Sequence, residues 1–164
     1  MKPFFKSKAI VTLSIIGTLA THVSAMAAGP SDALILGDWK QVEPILVEEQ
    51  GFKVTLKDAQ TTYKPDGTSS GEVIMVFGGL PEELGTFKIS DIRHWRIEEG
   101  FLIETSASSV VKNLANNPIG NTIAVEIQNG LDQDIEIRNE IKQLTDTSLV
   151  LFVPETGMTL NFKR

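Results

Sequence analysis

Asp134-Ile135-Glu136-Ile137-Arg138-Asn139-Glu140-Ile141-Lys142-Gln143-Leu144 places Ile135, Ile137 and Ile141 on one side of an extended chain. Glu136, Arg138, Glu140 and Lys142 fall on the other. A period of two sets successive side chains on opposite faces, so one face enters a core and the other meets water, as in an antiparallel sheet. Downstream, Leu149, Leu151 and Val153 repeat the alternation, Pro154-Glu155-Thr156-Gly157 supplies a turn, and Met158, Leu160 and Phe162 form a closing pair with them. Upstream the rhythm recurs between polar connectors such as Lys64-Pro65-Asp66-Gly67 and Asn129-Gly130.

Nine segments follow: Leu36–Glu43, Lys53–Lys64, Thr68–Phe77, Thr86–Ile97, Phe101–Val111, Thr122–Gln128, Asp134–Leu144, Ser148–Val153 and Met158–Lys163. In Thr122–Gln128, Ile123, Val125 and Ile127 are expected to share a strand face. Short connectors favour antiparallel hairpins, because a parallel crossover needs about a dozen residues or more. Glu43–Gly51 has room for one short helix after Pro44, and the Asn-rich Lys112–Gly120 reads as a mobile loop. The expected fold class is all-β, an antiparallel meander closing into a small up-and-down β-barrel of 8–10 strands, which removes exposed edges. A two-sheet β-sandwich is the alternative.

The first residues have a different character. Lys2, Lys6 and Lys8 precede an apolar run from Ala9 to Ala20, and the small residues of Val23-Ser24-Ala25 and Ala25-Met26-Ala27 follow. Cationic, apolar and small, in that order, is the pattern of a secretory signal peptide, and the run is too short and too polar for a membrane anchor. Cleavage is expected after Ala27, or after Ala25, leaving 28–164 as a single domain in the periplasm or the medium. The leader carries three cations and no acid, so its removal takes the formal charge from −6 to −9. An acidic domain repels phosphate backbones, which makes nucleic acid and anionic membrane surfaces poor partners. With no cysteine there is no disulfide and no lipid acceptor, so the core alone must hold the fold.

Catalytic motifs are weak. Gly67-Thr68-Ser69-Ser70-Gly71 has the letters of a nucleophile elbow, but a strand follows it where that motif requires a helix. His94 is the one histidine of the expected mature chain, with no acid on its strand face to form a triad. No metal is expected, since zinc would have only Asp and Glu beside His94, and Asp132-Gln133-Asp134 lacks the glycine and bidentate glutamate of a calcium loop. The pairs Glu48-Glu49, Glu82-Glu83 and Glu98-Glu99 read as charged turn tips. Neither an enzyme nor a cofactor is expected.

Arg93-His94-Trp95-Arg96 gathers cations and an indole in an acidic protein. Alternation sets Arg93, Trp95 and Ile97 on one side, with Ile92, His94 and Arg96 on the other. Trp95 pointing inward would bring Arg93 into a lumen that receives an anionic amphipathic ligand; otherwise Trp95 fills a core among surface arginines. Tyr63, Arg93, Trp95 and Arg96 are the candidate ligand contacts. The small side chains Thr105, Ala107 and Ser109 would leave space if they pointed inward together.

Leu36-Gly37-Asp38-Trp39, Tyr63-Lys64-Pro65-Asp66-Gly67-Thr68 and the ending from Ile141 to Arg164 together resemble the lipocalin-like families of the calycin group, especially their short exported bacterial members. The resemblance spans Leu36 to Arg164. It implies that Gly37 and Trp39 open the first barrel strand and that Trp39 packs over the closed end against a cation, Arg164 or Lys163. It also implies a small apolar or amphipathic ligand held in the barrel. The competing expectation is a solidly packed barrel acting through its loops on a protein partner, as an inhibitor, immunity or envelope-assembly factor.

Overall fold

The computed structural model describes residues 30–49, 52–131 and 135–164. The expected leader, residues 1–27, and residues 132–134 lie outside the described residues. The elements are α1 (Pro30–Ile35), β1 (Gly37–Gln41), β2 (Ile45–Glu49), β3 (Phe52–Tyr63), β4 (Thr68–Phe77), α2 (Glu82–Gly85), β5 (Thr86–Glu98), β6 (Phe101–Asn113), α3 (Pro118–Leu131), β7 (Glu136–Leu144), β8 (Ser148–Val153) and β9 (Met158–Lys163). All pairings are antiparallel, in the order β1-β9-β8-β7-β6-β5-β4-β3-β2, and β1 also pairs with β3. The result is a closed eight-stranded antiparallel barrel with β2 as an extra strand along the upper part of β3. Among the described residues no helix is long and apolar enough to cross a membrane.

Turn chemistry builds the lower end. Gly67 N donates to Lys64 O, and the Asp66 carboxylate accepts from both the backbone N–H and the hydroxyl of Thr68, which fixes the β3–β4 hairpin. Ile35 of α1, Trp39, Tyr63, Leu102, Leu149 and Leu151 fill the floor as one buried cluster. A second cluster at the mouth joins Met75, Phe87 and Ile89 of the wall to Ala124 and Ile127 of α3. Burying such side chains stabilises by about 1.5–3 kcal/mol for each large one.

Side chains from neighbouring segments fill two of the irregular places in the wall. In β3 the register shifts between Lys57 and Gln60, where Asp58 has φ 56°. The Gln41 amide fills the gap, donating to Leu56 O at 3.3 Å and accepting from Ala59 N at 3.0 Å. Above Thr105, β6 has no β7 partner, and α3 takes its place. Gln128 accepts from Val111 N at 2.8 Å and donates to Ser109 O at 2.6 Å, satisfying backbone groups that a strand would otherwise pair.

The structure departs from three of the expectations. Thr122–Gln128 is helical, not a strand, and of the Asn-rich stretch Lys112 and Asn113 end β6, residues 114–117 form the connector, and Pro118–Gly120 open that helix. Asn117 Oδ1 accepts from Gly120 N at 2.7 Å, and Pro118 occupies the first helical position, where its missing N–H costs nothing. The buried positions Gly120, Ala124 and Ile127 follow helical spacing, whereas Val125 is 57% exposed. Gly120 has a packing reason, because a Cβ there would collide with the Asn113 side chain. Glu43–Gly51 contains β2 in place of a short helix, since Ile45–Glu49 pairs with Phe52–Leu56.

Candidate functional site in the barrel interior

Register decides which side chains meet inside the barrel, because residues directly opposite one another across antiparallel strands point to the same face. Tyr63, Ser69, Arg93 and Ser106 form one row across β3, β4, β5 and β6. The Trp95–Glu104–Ile137 row lies below it and the Ile97–Leu102–Asn139 row lower still. The row above contains Thr61, Gly71, Asp91 and Ser109. Gly71 is required there, since a Cβ would lie 2.6 Å from Asp91 Oδ1.

These rows bring charges together between the two apolar clusters. Arg93 Nε donates to Asp91 Oδ2 at 2.8 Å, and its Nη2 donates to the same oxygen. Its Nη1 lies 3.5 Å from Glu104 Oε2. The Tyr63 hydroxyl donates to Glu104 Oε1 at 3.2 Å. Burial pushes the Glu104 carboxyl above the usual carboxylate range, because Arg93, held more closely by Asp91, offsets only part of the desolvation. Burial alone would disfavour charge on Arg93, but Glu104 and Asp91 outweigh it and keep the guanidinium charged. Burial, with Glu104 beside it, also drives the Tyr63 phenol well above its ordinary value, so its hydroxyl remains a donor.

The Glu104 side chain is only 7% exposed, yet Arg93 keeps 31% of its side chain accessible. Accessible space therefore reaches the cluster. Asn139 faces the same interior and is 5% exposed, and its Oδ1 has no hydrogen-bond partner among the described residues. A buried acceptor without a donor is costly and points to a group that the protein itself does not supply.

Of the sequence-derived ligand contacts, the structure brings Tyr63, Arg93 and Trp95 together and leaves Arg96 out. The Trp95 and Tyr63 rings meet edge to face at 5.7 Å, and Trp95 Nε1 donates to Thr68 O at 2.9 Å. Arg96 is on the outer face, bridging Glu98 and Glu136. His94 is exposed on the same outer face. Thr105, Ala107 and Ser109 do not share a face, because the bulge opposite Ile92 and Arg93 falls at Ala107 and reverses the alternation.

At the floor, Trp39 is fully buried and donates from Nε1 to Ile35 O at 2.6 Å. The Arg164 guanidinium lies 4.4 Å from the Trp39 ring centroid. Its Nη2 donates to Leu34 O and Leu36 O at 2.6 and 2.5 Å, while Lys163 pairs with Lys40 in the wall. Gly37 adopts φ +110° with the Arg164 side chain 3.9 Å from where a Cβ would stand.

Sequence reasoning missed Asp91, Glu104, Ser69 and Asn139. Their signals were local: Asp91 shares a strand face with Arg93, and Glu104 interrupts the apolar inner face begun by Leu102. No His, Cys, Asp or Glu grouping suited to a metal ion occurs among the described residues. The chain matches no protein-family model, and a search of curated proteins found no relative.

Proposed function

We propose that the protein is an exported, lipocalin-like barrel of the periplasm or the medium that binds a small amphipathic molecule in its interior. The carrying observation is the Asp91–Arg93–Glu104–Tyr63 cluster set between two apolar layers. Buried ion pairs are rarely better for stability than apolar side chains of similar volume, so a cluster in the middle of a barrel asks for another explanation. A polar head would meet this cluster and the apolar remainder would lie against Phe87, Met75 and Ile89 beneath α3.

Titration of the full chain with 1-dodecanol, followed by tryptophan emission, tests this reading. Trp95 stands directly across from Glu104 and is the expected reporter. We expect a saturable change at one molecule per chain, lost in Trp95→Phe and retained in Trp39→Phe. Ser106→Leu, which fills space beside Arg93, should abolish binding while leaving the circular dichroism spectrum intact. No saturable change, or binding unaffected by Ser106→Leu, overturns the proposal.

The packed interaction module remains the second reading, on a specific observation. Leu80, Leu114 and Ile119, at the α2 and α3 end, are 41%, 52% and 63% exposed. A protein partner seated there would be released by Leu114→Asp with Ile119→Asp, substitutions remote from the interior cluster.

A further inference from the structure

The interior cluster sets a single cation against two carboxyl groups. One guanidinium is shared between two carboxylates, Asp91 and Glu104. The Tyr63 hydroxyl is already engaged at Glu104. Asn139 Oδ1, on the inner face diagonal to Glu104 across the β6–β7 pairing, still lacks a donor among the described residues. A ligand carboxylate or phosphate would bring a further anion to a guanidinium already committed, and would give Asn139 Oδ1 nothing to accept. A head group carrying several N–H donors and a positive charge would meet both needs.

We infer that the interior site selects a single-chain amphiphile with a protonated amine head, which donates to Glu104 and Asn139 while Arg93 stays paired with Asp91. The inference rests on the binding function proposed above and specifies the chemistry of its ligand. It also replaces the anionic ligand expected from Arg93 in the sequence, because Arg93 is neutralised where it stands. Apolar walls provide for the chain: Leu102 and Ile137 flank Glu104 and Asn139, and the α3 cluster lies above.

Isothermal titration of the full chain with dodecylamine, 1-dodecanol and dodecanoate, each below its micellar concentration, reads the head-group preference directly. Dodecylamine is expected to bind at one per chain and at least about tenfold more tightly than dodecanoate, a difference of about 1.4 kcal/mol. Glu104→Gln should weaken dodecylamine about tenfold and 1-dodecanol, whose head group carries no charge, by a clearly smaller factor. That contrast separates the interior site from general attraction of a cation to an acidic protein. Asn139→Leu conserves volume and removes the acceptor, so it provides the same test if Glu104→Gln fails to fold. Dodecanoate binding as tightly as dodecylamine, or dodecylamine binding unaltered in the folded variants, overturns the inference while leaving the binding function standing. Failure of all three probes to bind overturns both.

Discussion

Trp39 and Glu104 are both buried, with opposite consequences for stability. The Trp39 indole is enclosed in the floor cluster, satisfied at Nε1 and covered by Arg164. Trp39→Ala should destabilise by about 3–5 kcal/mol, as a large-to-small core change does. Urea melts check this, and a loss under about 1 kcal/mol would contradict the packing described. Glu104 is buried at a cost to its charged form. Its carboxyl binds a proton more tightly folded than unfolded, so its contribution to stability is fully present below the ordinary glutamate value and is lost as pH rises through the raised folded value. Glu104→Gln cannot titrate. The stability of wild type relative to this variant should therefore increase as pH falls from neutral toward about 4.5 and level off below it. Urea melts of both proteins from pH 4 to 8 measure this, and a pH-independent difference would place the Glu104 carboxyl in an ordinary environment.

At the scale of elements, most strands were readable because period-two alternation and turn residues agree, and Thr68–Phe77, Ser148–Val153 and Met158–Lys163 have the bounds read from the sequence. Helix α3 was not readable in that way. Ile123, Val125 and Ile127 satisfy alternation, while Gly120, Ala124, Ile127 and Leu131 satisfy helical spacing, and so short an apolar run fits both. Asn117-Pro118 held the deciding signal, a cap followed by proline at the first helical position. Asn117→Ala should therefore cost about 1 kcal/mol through loss of the cap. Gly120→Ala should cost more despite the better helix propensity of alanine, because Asn113 is held by Glu83 O and Thr86 O and cannot easily yield. Hydrogen exchange of α3 amides should accelerate in both variants, and a Gly120→Ala protein as stable as wild type would contradict the contact.

For the whole molecule, ring closure is uneven. β1 meets β9 at only Lys40–Lys163 and Gln41–Phe162, and above them Pro44, Ile45 and Leu46 face Met158, Thr159 and Asn161 across an open cleft. Helix α3 similarly replaces β7 beside upper β6. Neither irregularity is encoded in strand rhythm, because each depends on which distant segments meet. The interior charge cluster was half legible for the same reason: alternation put Arg93 and Trp95 on one face, but only the pairing of β5 with β6 brings Glu104 to them. In the proposed function this cluster and the apolar layer beneath α3 form one small-molecule site. The most direct measurement is a two-dimensional ¹H–¹⁵N correlation titration of the full chain with dodecylamine. Saturation at one ligand per chain is expected, with the largest shifts at Arg93 Nε, Trp95 Nε1, the Asn139 side-chain amide and the backbone of α3. Shifts confined to the exposed Leu80, Leu114 and Ile119 end, or no saturable shifts at all, would contradict it.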